Sequence, residues 1–152
     1  MLRYQKRFAG LVAGVRGRFH ADPILSRFGM LKVGDLYRQQ LRVHAWRFWN
    51  RQLPTNQASM LGRVSDGHSY GTRSARAGML LSARDHRSVG YRVPKEWGSL
   101  TEELRGVGSL GAFKRQSKAG FLGAYGEFRC AVRGCYVCGV AGQGGRGGDL
   151  DG

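Results

Sequence analysis

The residue types that most often carry chemistry fall into two groups in this chain. The first is a cysteine cluster, C-x4-C-x2-C, at Cys130, Cys135 and Cys138. Thiolates with two residues between them on a turn point the same way, so Cys135 and Cys138 could grip one side of a tetrahedral zinc, which takes four ligands in a structural site. No cysteine or histidine follows Cys138, so a fourth ligand would have to return from His20, His44, His68 or His86. Three readings stay open: free thiols, a zinc site closed from a distance, or redox pairing. The second group is arginine. Arg38 and Arg42 stand one helical turn apart, and Arg47 and Arg51 repeat that interval. A looser set follows at Arg73, Arg76, Arg84, Arg87 and Arg92, with His86 among them. The planar guanidinium suits bidentate contact with phosphate and stacking on bases, where an ammonium does not. Contacts of that kind give affinity for a nucleic-acid backbone without reading its sequence. The plainer alternative is a set of solvated charges. Tyr70 and Tyr91 could stack on unpaired bases or simply pack.

The chain is expected to be non-catalytic. There is no Walker loop, no H-E-x-x-H and no Y-x-D-D carboxylate pair. Asp22, Asp35, Asp66 and Asp85 are isolated singles, whereas two-metal phosphoryl chemistry needs carboxylates that converge.

The wider composition agrees with a polyanion as partner. Of 152 residues, 25 are Lys or Arg, and 20 of these are Arg; acids number 10, leaving a net charge of +15. The excess is uneven, +13 over residues 1–94 and +2 over 95–152, so an anion-binding surface is expected in the first part. The length suits one domain, at ~100–200 residues each. Glycine, at 25 residues, is more than twice the usual ~7% and makes a core harder to build. No apolar run approaches the ~18 residues of a membrane span, so no membrane partner is expected. The opening MLRYQKRFAGLVAGVRG has no unbroken apolar core before a cleavage site. The expectation is therefore a nuclear or cytoplasmic protein, not a secreted one.

The elements that must position these residues read as mainly α, with a short extended or β segment around residues 70–93. Residues 2–16 suggest a helix with Leu2, Phe8, Leu11, Val12 and Val15 on its buried face and Arg3, Lys6 and Arg7 opposite. Asp22-Pro23 suggests the start of a short helix through Ile24, Leu25, Phe28 and Leu31. The clearest helix is 36–52, capped by Asp35 and stopped before Pro54, with Trp46, Phe48 and Trp49 read as core in preference to a stacking platform. A short helix is expected within 55–64. Residues 65–78 read as an extended basic loop, and Val89–Val93 as β-like, ended by Pro94. A turn at 100–105 and a last helix over 109–125 follow. The chain then divides into a basic helical segment (1–64), an arginine-rich loop or β segment (65–94), a C-terminal helix plus cysteine cluster (95–138) and a tail (139–152). The tail, GVAGQGGRGGDLDG, is half glycine and is expected to be disordered.

Several landmarks in order resemble the C-terminal region, beyond the polymerase thumb, of non-LTR (LINE-class, jockey-like) retrotransposon reverse transcriptases. They are QKR at Gln5–Arg7, HADPILSRFGMLKVGDL at His20–Leu36, the tryptophan helix running to Leu53-Pro54, YGTRSA at Tyr70–Ala75, VGYRVPKEWGSL at Val89–Leu100 and SLGAFKRQSKAGFLGAY at Ser109–Tyr125. The likeness covers about residues 4–138. It departs at Trp97-Gly98, where the family has WN, at Leu100-Thr101, where it has LP, and at Ala9-Gly10, where a basic residue and an aliphatic are common. The resemblance implies a non-catalytic region that helps to hold RNA or DNA, the polymerase and endonuclease residues lying upstream in such proteins. It also implies that Cys130, Cys135 and Cys138 are the counterpart of a cysteine knuckle, minus one ligand. The rival expectations are a functionless remnant of a truncated element without a stable fold, and a small zinc-dependent interaction module. RNA and DNA both remain open as partners, and no oligomeric state is specified.

Overall fold

The computed structural model describes residues 2–17, 19–67, 70–126 and 135. The chain is mainly helical. Its helices are α1 (Leu2–Val12), α2 (Asp22–Arg27), α3 (Val33–Trp49), α4 (Thr55–Ala58), α5 (Arg73–Arg76), α6 (Val89–Gly98), α7 (Glu102–Arg105) and α8 (Leu110–Gly126), with a 3-10 turn at Val64–Asp66. Among the described residues there is no sheet, only an isolated antiparallel bridge between Arg63 and Leu80. No described helix is long and apolar enough to cross a membrane. The glycine tail and Cys130 and Cys138 lie outside the described residues. The chain divides into two compact units, one from the described parts of 1–35 and 119–152, the other Leu36–Lys118. Each has its own core.

In the first unit, Ala9, Phe19, Ile24, Leu25, Leu31, Phe121, Tyr125 and Cys135 are buried. The buried face of α1 is not the one its large apolar residues suggest. Phe8, Leu11 and Val12 are exposed, and Ala9 and Gly10 pack inward instead. Close approach is the cause. Phe19 lies so near that a Cβ on Gly10 would sit 2.6 Å from its ring carbon Cζ, so only the small side of the helix fits. Gln5, on that side, donates its amide to the Leu31 carbonyl (2.6 Å) and accepts from the Val33 N–H (3.1 Å). A polar side chain thereby satisfies a helix-start donor of α3 that would otherwise be orphaned. Asp35 lies within the first turn of α3 rather than at its cap, where a carboxylate complements the helix dipole. Tyr125 donates to it at 2.6 Å and accepts from the Lys32 N–H at 2.9 Å. Lys32 in turn pairs with buried Asp22 at 2.6 Å.

The second unit is built on tryptophan. Trp46, Trp97 and Phe113 are fully buried with Val93 and Ala45, and Leu41, Val43, Leu61, Leu80 and Leu100 complete the core. Trp46 packs on Phe113 (ring centroids 6.0 Å), and half-buried Trp49 packs on Trp97 (5.8 Å). Both buried indoles find acceptors, as such groups must: Trp46 Nε1 donates to the Val107 carbonyl and Trp97 Nε1 to the Gly78 carbonyl, each at 2.9 Å.

Two expectations about the segment 65–93 are corrected here. Residues 65–78 are not an extended loop throughout, because Thr72 accepts from the Ala75 N–H and starts the short helix α5. Val89–Val93 is helical, not β-like. Ser88 caps it by accepting from the Tyr91 N–H (3.2 Å), and its own hydroxyl donates to the Asp85 carbonyl (2.7 Å). Pro94 does not end this segment but sits inside α6. Proline lacks the N–H that would bond the carbonyl four residues back, which here belongs to Gly90. That carbonyl accepts instead from the Ala83 N–H at 3.1 Å. The extended stretch that remains is 79–83, which includes the bridge at Leu80.

Candidate functional site

The arginines named from the sequence separate into two sets. Arg47, Arg51, Arg73, Arg76, Arg84 and Arg87 are exposed. Arg51 follows α3 at φ 55°, in the left-handed region. The Gln52 N–H bonds the Arg47 carbonyl (2.7 Å) and the Arg51 N–H bonds the Phe48 carbonyl (3.0 Å), a Schellman end with arginine in the place glycine usually takes. Arg73 and Arg76 lie on α5, and Arg76 donates Nε and a terminal nitrogen to the Gly71 carbonyl. Arg84 and Arg87 stand on the loop before α6, where Asp85 accepts from the Arg87 N–H at 2.9 Å.

Arg38, Arg42 and Arg92 are held by neighbours. The Glu96 carboxylate lies between the first two, accepting from Arg38 Nε at 2.9 Å and Arg42 Nε at 3.1 Å. Arg92 donates to the His86 carbonyl (3.3 Å) and to the Tyr37 hydroxyl (3.0 Å). Its guanidinium lies 5.8 Å from the Tyr37 ring centre. Together these residues form the wall of a groove between α3 and α6, a cavity of about 370 Å³ lined by Tyr37, Arg38, Leu41, His86, Tyr91, Arg92, Lys95 and Glu96. His86 meets the Tyr91 ring edge-on (4.3 Å, 75°), and Lys95 Nζ lies 6.0 Å from the Tyr91 centre. Three cations thus face one carboxylate, which two guanidiniums already neutralise. Tyr37, Lys95 and Glu96 escape notice in the sequence; their signal is the spacing of Tyr91, Arg92, Lys95 and Glu96 on a helix, which appears only once Val89–Val93 is read as helical.

Arg47 has a further electrostatic role. Its charge adds to partial burial in holding the His44 pKa below the ordinary 6.5, burial being the larger cause. In the first unit, burial and the bond to Asp35 push the Tyr125 phenol up to about 12.

The cysteine cluster is represented by Cys135, which is buried and accepts from the His20 N–H at 3.2 Å. The His20 ring lies 3.7 Å from the Asp22 carboxylate. No group of three His, Cys, Asp or Glu among the described residues could hold a metal ion.

Two short motifs in the sequence match catalytic or cofactor patterns, and their surroundings do not. Gly67–Gly71 reads G-H-S-Y-G, the spacing of a nucleophile elbow, which requires a serine on a sharp strand-to-helix turn. Here a 3-10 turn precedes it and the four-residue α5 follows; His68 and Ser69 lie outside the described residues. Gly106–Gly111 reads G-V-G-S-L-G and opens α8, but it follows helix α7, whereas a dinucleotide fingerprint follows a strand.

Comparison with protein-family models, with curated proteins and with solved structures finds no match for this chain.

Proposed function

We propose that this chain is a non-catalytic nucleic-acid-binding protein, of the kind found at the C-terminal end of LINE-class reverse transcriptases, and that it holds RNA or DNA by the phosphate backbone without reading sequence. The observation that carries the reading is the placement of charge. Leu36–Lys118 holds 15 Lys and Arg against 5 Asp and Glu, so two thirds of the net charge of +15 belongs to one compact unit. Within it, Arg47, Arg51, Arg73, Arg76, Arg84 and Arg87 present their side chains to solvent. Two of the five acids there are already engaged, since Glu96 is taken up by Arg38 and Arg42 and Asp85 bonds its own loop. Exposed guanidiniums at this density favour a polyanion over a small ligand.

The test is a salt series of fluorescence-anisotropy titrations with labelled strands of unrelated sequence. Each phosphate neutralised contributes a slope of about −0.9 in log K against log salt on duplex DNA and about −0.7 on single strands. Four to six contacts therefore give a slope near −3 to −5 by the same relation, with little difference between sequences. A flat response, or no binding at low salt, overturns the proposal. The tryptophan core supports a folded Leu36–Lys118 unit rather than an unstable remnant, and a cooperative thermal melt of that unit is the matching expectation.

A further inference from the structure

We infer that the groove between α3 and α6 takes one unpaired nucleotide of a single strand, its base stacked against Tyr37 and Tyr91 and its phosphates on Arg38, Arg92 and Lys95. This inference rests on the nucleic-acid reading above and deepens it.

Four observations lead to it. The groove is open and of the size class of small-ligand sites, ~300–1,000 Å³. One aromatic wall is exposed, Tyr37 at 46% although it is a large ring on a helix that packs well elsewhere, and the other, Tyr91, is half-buried beside His86. Each tyrosine has a cation over its ring, Arg92 at 5.8 Å from the Tyr37 centre and Lys95 at 6.0 Å from the Tyr91 centre, so phosphate-binding charge is already held at the aromatic surface. A base and its own phosphate present the same pairing of a flat face with a negative charge one sugar away. Finally, the one carboxylate that would repel a phosphate, Glu96, is tied to two guanidiniums on the groove wall. A base still paired in a duplex is stacked on both faces and has none to offer. The groove therefore selects strands whose bases are free, in the manner of aromatic platforms for single strands.

The experiment uses the full chain and three labelled oligonucleotides of one length: a single strand, its duplex, and a single strand carrying abasic sites in place of all bases but the end ones. Stacking contributes enough per base that its loss is read as roughly a 5- to 150-fold weakening. Tyr37→Ala is expected to weaken the normal strand by at least about 5-fold on that scale, and to leave the duplex and the abasic strand unchanged. Tyr91→Ala is expected to do the same, and Tyr91→Phe to restore binding. Because Tyr91 is half-buried, circular dichroism checks its variants, and exposed Tyr37 carries the test if Tyr91→Ala does not fold. Tyrosine variants that bind the single strand as the unaltered chain does overturn the groove and leave backbone binding standing. A variant that weakens all three ligands alike also overturns it, since base stacking cannot act on an abasic strand. Failure of the unaltered chain to bind any ligand at low salt overturns both proposals.

Discussion

Replacing Arg51 with glycine is expected to make the protein more stable and a poorer binder of nucleic acid. Arg51 sits at φ 55° just beyond α3, with the two backbone bonds of a Schellman end around it. An L-residue there brings its Cβ close to the following carbonyl, at a cost of roughly 1–2 kcal/mol that glycine avoids. Glycine returns part of that through its freer unfolded chain, commonly about 0.5–1 kcal/mol. The net gain is about 0.5–1 kcal/mol. For a unit of this size each kcal/mol moves the melting point by roughly 4–8 °C, so Arg51→Gly should raise it by about 2–8 °C. The exposed guanidinium is lost with the substitution, and with it one phosphate contact, so the salt slope should become shallower by about 0.7 on single strands. Two controls separate the effects. Arg51→Lys keeps both charge and strain and should change neither measurement much. Arg51→Asn, an amide that tolerates the left-handed region, should lose the slope and gain some of the stability. Thermal melts followed by tryptophan fluorescence and anisotropy titrations across a salt series supply both numbers. A lower melting point for Arg51→Gly refutes the account of the helix end. A higher one with an unchanged slope removes Arg51 from the phosphate-binding set.

Other expectations follow from the charged and buried groups. Glu96→Gln should lower stability by about 1–2 kcal/mol, chiefly through the half-buried Arg42 bond, since the Arg38 arm is exposed. It should also steepen the salt slope by up to about 0.7 on single strands as the Arg42 guanidinium is released, a combination that general unfolding does not produce. Tyr125, raised by burial and its bond to Asp35, has a folded pKa of about 12 against an ordinary 10. A raised pKa means that its contribution is whole below pH 10 and is lost as the pH climbs through 12. An absorbance titration should show one late phenol, which Tyr125→Phe abolishes. His44 has the opposite sense, lowered by burial first and by Arg47 second. Its contribution is present above pH 6.5 and is lost as the pH falls through its folded value, so the melting point of His44→Gln should depend less on pH on the acid side.

The long helices were legible because their signals are redundant. Over 36–52, apolar residues recur at helical spacing, tryptophans demand burial and Pro54 marks an end; α3 runs Val33–Trp49. Over 109–125 the helical spacing of Leu110, Phe113, Phe121 and Leu122 gives α8. Val89–Val93 misleads because its valines and tyrosine favour strands and a proline follows. The decision for a helix comes from Ser88 and Asp85, whose side chains bond the first turn and the loop before it, and from burial of Val93 against Trp97 and its neighbours. The face of α1 misleads for a different reason. Hydrophobic size predicts which face would gain most from burial, but contact distance chose the face that could approach Phe19. The arginine sets were visible as residues and not as roles, since the Glu96 clamp joins positions 54 and 58 residues apart.

Pro94 has a consequence for the loop it never touches in sequence. By leaving the Gly90 carbonyl without a helical donor it supplies the acceptor for the Ala83 N–H, and so closes the chain from 83 to 90 into a ring. That ring carries Arg84, His86 and Arg87. Its amide at Ala83 should exchange with solvent deuterium far more slowly than a loop amide ordinarily does, and Pro94→Ala, which returns a competing helical donor to Gly90, should speed that exchange. The ring also changes when ordering is done. Side chains immobilised on association each cost about 0.5–1.5 kcal/mol, and backbone already fixed adds nothing to that cost. A residue known for interrupting helices here acts as the hinge pin of a preformed hand.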